Sequence, residues 1–192
     1  LGFGDILDKL EMGFMGAYRV SNDRWSVTLD AMYMGLGATS RGANGLLASE
    51  MDVDQMSIEL AAEYAVTDHL TVLGGLRYAD VEARIAVNGP SNTPVKASSA
   101  HSWVDPIVGL QYRVPPSSKW SLALRGDVGG FGIGSDLAWQ GIATVRFDLS
   151  ENIAAVAAYR YIDTNYDSGS GSSYFRYDVV TAGPALGLTV AF

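Results

Sequence analysis

Apolar and polar residues alternate along this chain with a period of two. From the carboxyl end, Val190, Leu188, Leu186 and Pro184 fall on one face, and Ala191, Thr189, Gly187, Ala185 and Gly183 on the other. That spacing predicts a β-strand with one bulky and one small face. Three other segments repeat the pattern. Val104, Pro106, Val108, Leu110 and Tyr112 alternate with Asp105, Ile107, Gly109, Gln111 and Arg113; Trp120, Leu122, Leu124 and Val128 alternate with Ser121, Ala123, Arg125 and Asp127. Met56, Ile58, Leu60 and Tyr64 alternate with Ser57, Glu59, Ala61 and Glu63. The segment 24–38 follows suit, with Trp25, Val27, Leu29, Ala31 and Tyr33 opposed to Ser26, Thr28 and Asp30. Charges keep phase with the small residues.

Two kinds of connection separate these segments. Short polar ones are Ser21–Arg24, Thr67–His69, Pro115–Lys119 and Leu149–Asn152; longer Gly- and Ser-rich ones are Ser40–Glu50, Asn88–Ala100 and Ser168–Ser173. The two kinds alternate, with Gly130–Asp136 as a tight reversal on the long-loop side. Strands are predicted at 12–20, 24–38, 51–66, 70–87, 101–114, 119–131, 136–148, 152–166 and 174–192. The pattern is that of a transmembrane antiparallel up-and-down β-barrel, short periplasmic turns at one end and extracellular loops at the other. Nine is odd and single-chain bacterial barrels are even-stranded, so about ten strands are expected, the first upstream of Leu1. Residues 5–10 would then form an outer loop or one helical turn capped by Asp5. The whole of 1–192 reads as a single outer-membrane β-barrel domain with a truncated amino terminus.

Composition narrows the alternatives. The 192 residues are 48% hydrophobic and 18% charged, with a mean hydropathy of +0.11, and no apolar run is long enough for a transmembrane helix. Cysteine is absent, which removes disulfides, thiolate metal sites and cysteine nucleophiles. A net charge of −8 argues against a nucleic-acid partner. Aromatics next to the short turns, Trp25, Tyr64, Tyr112, Trp120, Phe147 and Phe192, are placed as an interfacial girdle would be. The outward faces between girdles are read as free of Lys, Arg, Asp and Glu.

The inward positions collect charge. Arg19, Asp30, Glu59, Glu63, Arg77, Asp105, Arg113, Arg125, Asp127, Arg146 and Arg160 are predicted on one inner wall, with Gln111 and Gln140 among them. Ions at membrane depth must be paired or wet, and the arginine fork suits pairing with carboxylates. This lumen network either plugs the barrel and fixes strand register or lines a narrow pore.

Several stretches carry a resemblance to one family. Trp103-Val104-Asp105-Pro106-Ile107-Val108-Gly109-Leu110, the run Arg125-Gly126-Asp127-Val128-Gly129-Gly130-Phe131-Gly132-Ile133-Gly134-Ser135-Asp136, then Trp139-Gln140, Tyr159-Arg160-Tyr161 and Gly183-Pro184-Ala185-Leu186-Gly187-Leu188 resemble a family of uncharacterised proteobacterial outer-membrane β-barrel proteins. Asp5-Ile6-Leu7-Asp8, Arg24-Trp25 and Asp30 fit it more weakly. The terminal Phe192 likewise resembles the end of a barrel's closing strand. The resemblance implies fold and location, and no activity.

Candidate chemistry is sparse. His101 and Ser102 lie near the outer rim, where outer-membrane hydrolases place such residues, but neighbours on a strand point to opposite faces, and the Asp-x-His pattern of omptin-like proteases is missing. Asp163–Gly169 imitates the start of a calcium loop with its glycine one place late, and reads better as a strand entering a surface loop. The glycines from Gly129 to Gly134 lack the lysine and helix of a phosphate cradle. The expectation is therefore a non-enzymatic bacterial outer-membrane barrel, structural or narrowly permeable to small solutes. Its first alternative is an adhesion or complex-forming module acting through Ser40–Glu50 and Asn88–Ala100, and its second an outer-membrane hydrolase. No cofactor and no metal is expected; the partners are outer-membrane lipid and other envelope proteins met by the extracellular loops.

Overall fold

A computed structural model describes residues 10–41, 48–88, 95–117, 119–171 and 174–192. The helical turn expected at Asp5 lies outside them, as do the middles of the loops at Ser40–Glu50 and Asn88–Ala100. Nine strands follow in order: β1 (Leu10–Asn22), β2 (Trp25–Arg41), β3 (Ala48–Ala65), β4 (Leu70–Asn88), β5 (Val95–Ser117), β6 (Trp120–Gly130), β7 (Leu137–Asp148), β8 (Ile153–Ser168) and β9 (Phe175–Val190). Each pairs with its sequence neighbour, giving a single up-and-down sheet ordered β1 to β9. Among the described residues no helix is long and apolar enough to cross a membrane.

All nine expected strands are present, but several run further than the apolar alternation. β3 begins at Ala48, β5 at Val95, and β8 continues to Ser168. The ladder is made by backbone groups, which pair as well beneath polar side chains as beneath apolar ones. Asp163 and Asn165 therefore sit in the β8–β9 ladder opposite Val180 and Asp178. The calcium-loop likeness is superseded by a strand, and among the described residues no group of three metal-capable side chains occurs.

Contacts group the chain into two compact units, one of Leu1–Ala17, Asp30–Ile58 and Tyr78–Trp103, the other of Tyr18–Leu29, Glu59–Arg77 and Val104–Phe192. In the first, Tyr33 donates to Asp54 at 2.6 Å, and Arg84 bridges Asp54 at 2.9 Å and Glu82 at 2.6 Å. These polar pairs join β2, β3 and β4 within the expected spans 24–38, 51–66 and 70–87.

In the second unit the sheet curls into a nearly closed barrel. Tyr18 of β1 and Phe192, just beyond β9, bring their rings to 6.3 Å and 24° of one another. The ladder β5–β6 is regular from Ile107↔Gly129 to Val114↔Leu122 and then shifts before Ser117↔Trp120. Pro115 and Pro116 fall in that gap, because proline offers no N–H to the ladder. Two short turns share one construction. The amides of Val66 and Thr67 donate to the Leu70 carbonyl, and Leu70 N–H returns a bond of 2.9 Å to Thr67 Oγ1. Leu149, Ser150 and Ile153 repeat it, with Ile153 N–H donating to Ser150 Oγ at 3.2 Å. The β1–β2 turn is only Asp23-Arg24, and Asp23 takes a left-handed φ of 41°, which a short polar side chain tolerates better than most.

Burial follows the alternation, inverted from that of a water-soluble core. Glu59, Asp105, Asp127, Arg77, Gln140 and Arg160 are buried. Val104, Val108, Leu110, Leu124, Val128, Leu186, Leu188 and Val190 are exposed, Leu186 by 86%. Outward charges occur at the long-loop ends, at and beyond the level of Trp139. Asp163 shares a face with Trp139 and accepts its Nε1–H at 3.2 Å, and Arg176 pairs with Asp178 at 2.9 Å on exposed positions of β9. These charges sit at the long-loop ends of β8 and β9.

Candidate functional site

Ring contacts first fix the ends of the outward face in the second unit. Trp25 meets Tyr64 at 4.9 Å between centroids, Trp120 meets Phe147 at 4.6 Å, and Tyr112 meets His69 at 6.3 Å. With Tyr18 against Phe192, all six expected girdle residues have an aromatic neighbour beside the short turns. Sequence reasoning missed Tyr18, and also a second group near the long-loop end, where Trp139 stacks on Tyr161 at 4.6 Å and 29°. The alternation that placed Trp120 outward marks these as well.

Inside the same unit, β3, β4, β6, β7 and β8 bring five side chains of the predicted network together with Gln140. Arg77 Nη2 lies 2.8 Å from Glu59 Oε2 and 2.5 Å from Asp127 Oδ1, and Nε donates to the same Glu59 oxygen at 3.2 Å. Arg125 Nε donates to Asp127 Oδ2 at 3.0 Å, while its Nη2 reaches Glu59 Oε1. Two arginines thus clamp two carboxylates in a closed ring. Gln140 extends it, its amide nitrogen donating to Asp127 Oδ2 at 2.8 Å and its oxygen accepting from Arg160 Nε at 2.7 Å. The side chains of Arg77, Glu59, Asp127 and Arg125 are 4%, 1%, 0% and 11% exposed. Water does not separate them.

Strand register explains the arrangement. Gln140 lies directly opposite Asp127, and Arg125 precedes Asp127 by two on the same face. Space for the carboxylate comes from Gly109 across the ladder: a Cβ there would lie 2.5 Å from Asp127 Cβ. Gly75 does the same beside β3, where a Cβ would run into the Leu60 carbonyl and come within 2.8 Å of Ala61 Cα.

The remaining predicted members divide among other places. Glu63 forms a second, smaller group: Ser26 Oγ at 3.1 Å and Thr28 Oγ1 at 2.8 Å donate to its carboxylate, and Arg19 Nη2 forms an ion pair with it at 2.8 Å while donating to Ser26 Oγ at 2.6 Å. Arg146 pairs with the half-exposed Asp148 at 2.8 Å, outside the ring. Arg113 reaches Gln111, whose oxygen, in the amide orientation that satisfies both ends, accepts Nε at 2.9 Å. Asp30 is half-buried in the first unit.

Asp105 has donors that the sequence reading did not foresee. Its Oδ1 accepts the backbone N–H of Ser135 at 2.6 Å and its Oδ2 the Ser135 hydroxyl at 2.8 Å. Ser135 is 0% exposed and Asp105 1%. The reversal between β6 and β7 thereby folds onto β5, with Gly130, Phe131 and Gly132 at positive φ of 89°, 54° and 72°. A Cβ on Gly134 would strike the Val104 carbonyl and lie 2.5 Å from Asp105 Oδ1. The glycine-rich run is thus a clasp for Asp105.

His101 Nε2 faces Ser99 Oγ at 3.0 Å, two residues away on the same strand face, as β alternation requires of any partner it finds on its own strand.

What fold and interior define is a class: an up-and-down antiparallel β-barrel with an ionic interior and an apolar exterior. Comparison with family models, with curated proteins and with solved structures finds no match to this chain.

Proposed function

We propose that this chain is a bacterial outer-membrane β-barrel whose lumen is closed by its own ion pairs and which serves a structural role in that membrane. One observation carries the reading: the inward side chains are paired ions, and the outward ones are exposed leucine, valine and aromatic residues. In water such an exterior would be a large aggregation-prone patch; in lipid it is the expected surface. The two aromatic groups support it. From Trp139 to Phe147 along β7, at about 3.4 Å per residue, is roughly 27 Å. A strand tilt of about 40° reduces that to roughly 20 Å, comparable with an apolar band about 25 Å tall.

The plug follows from the same ring. Its four side chains pair directly with one another, with Arg77 Nη1 left without a hydrogen-bond partner, and leave little room for a hydrated ion. The purified chain should float with liposomes, migrate differently on gels before and after boiling, and stay silent in planar bilayers across salts and voltages. Failure to float would overturn the membrane reading. Discrete conductance steps would overturn the plug and favour a narrow pore for small solutes.

A second reading, a surface module for other envelope proteins, is favoured by the polar extensions of β3, β4 and β5, where Glu50, Asp52, Glu82, Arg84 and Lys96 line a cavity of about 580 Å³. Pull-down by an envelope partner that is lost on exchanging those residues would support it.

A further inference from the structure

The second unit contains a cavity of about 610 Å³ beside the short turns. Four guanidinium groups line it, those of Arg19, Arg24, Arg113 and Arg146, and Asp23 is the one carboxylate on its described wall. The concentration is not a by-product of composition, since the chain carries 13 Lys and Arg against 21 Asp and Glu.

Two of the four charges are compensated from nearby, Arg19 by Glu63 and Arg146 by Asp148. Among the described residues, no carboxylate lies within 4.0 Å of Arg24 or Arg113. Arg113 and Arg19 line the same wall, where like charges repel one another. Nothing in the β1–β2 turn demands an arginine at position 24: its backbone carbonyl accepts the Ala65 amide at 2.8 Å, which any residue could do. The ion pairs of Arg19 and Arg146 do not account for Arg24 and Arg113 on the same wall.

We infer that this cavity is a binding site for a multivalent oxyanion, of the phosphate-bearing class. Guanidinium forks match phosphate oxygens in pairs, and the cavity's size falls in the range of about 300–1,000 Å³ that small-molecule sites occupy. A single halide would leave most of it unfilled. The hydroxyls of Thr71 and Thr144 on the wall add neutral donors of the kind that orient a phosphate. The site does not depend on the membrane reading, because its walls belong to one compact unit.

The test is calorimetric titration of the full chain in zwitterionic detergent with pyrophosphate. Saturable binding that weakens steeply with added salt is expected. The double variant Arg24→Gln with Arg113→Gln should weaken it about tenfold or more, the loss of at least one charge-assisted hydrogen bond. Arg176→Gln, on β9 and remote from the wall in sequence, should leave it unchanged. Unaltered heat-modifiable migration of the double variant shows that the fold is retained. Micelles doped with phosphatidylglycerol distinguish the source: displacement of pyrophosphate assigns the site to a lipid headgroup, and absence of displacement to a soluble phosphate. Absence of saturable binding, or equal affinity in the double variant, would overturn the inference.

Discussion

Asp105 of β5 and Ser135 of the β6–β7 reversal are joined twice, carboxylate oxygen by carboxylate oxygen, with both residues withdrawn from solvent. A buried carboxylate without donors is among the costliest groups a fold can hold. Here the donors come from thirty residues downstream, so the turn and the strand below it stabilise each other. Asp105→Ala should lower stability by about 3 kcal/mol, since hydrogen bonds to a charged group contribute roughly 1.5–3 kcal/mol each. Ser135→Ala keeps the backbone donor and should cost about 1–2 kcal/mol. Urea unfolding of both single variants and the double variant measures this; fully additive losses would show that the two residues do not act together.

The closed ring of Arg77, Glu59, Asp127 and Arg125 makes a graded prediction. Arg77→Gln leaves two carboxylates facing one arginine at almost no exposure, and should cost about 3–5 kcal/mol. Arg146→Gln, whose side chain is 36% exposed beside a 45% exposed Asp148, should cost under about 1 kcal/mol. Comparable losses in urea midpoint for the two would contradict the burial of the ring.

Three glycines separate steric room from backbone conformation. Gly109→Ala pushes a methyl into Asp127 and should cost several times more than Gly141→Ala, which meets nothing within 4 Å. Gly132→Ala also meets nothing but stands at a φ of +72°, so it should cost about 1–2 kcal/mol from backbone strain alone. Thermal midpoints of the three, ranked 109, 132, 141 from most to least damaging, check the scheme.

Acidity should act through the exposed reversal. A hydrogen bond with Asp167, and then the like charge of that residue, hold the Asp136 carboxyl above the ordinary aspartate range, with Arg176 opposing. The folded chain therefore binds this proton more tightly than the unfolded chain does. The associated stability is fully present below the unfolded value and is lost as pH rises through the raised one. Asp136→Asn should remove that dependence, so the difference between its urea midpoints and those of the parent grows in the variant's favour from pH 3 to pH 7. A difference that does not vary with pH would refute the shared proton.

Much of this was legible in the alternation. The nine strands, the outward leucines and the inward Glu59, Arg77, Asp127 and Arg160 follow from parity, because a strand gives each residue only two directions. Parity does not say which inward ion meets which. That depends on register between strands far apart in sequence, and the Ser135 donors to Asp105 come from a turn that parity does not reach. Strand length was underestimated for a different reason: the backbone ladder outlasts the side-chain pattern, as β5 shows from Val95 onward. The outward Asp163 reads as part of a strand entering a loop, and its tryptophan partner lies on the preceding strand.

Every strand of this sheet pairs with its sequence neighbour, so each hairpin can form from local chain alone. The ring of ions cannot. Arg77 and Asp127 are 50 residues apart, and Arg125 and Glu59 are 66. Its members come from strands β3, β4 and β6, which must all be in register before any of the four charges is fully compensated. Until then, each half-built sheet carries a charge with no counterpart and is held back from dry surroundings. A chain paired out of register by one residue would turn these ions to the opposite face of the sheet.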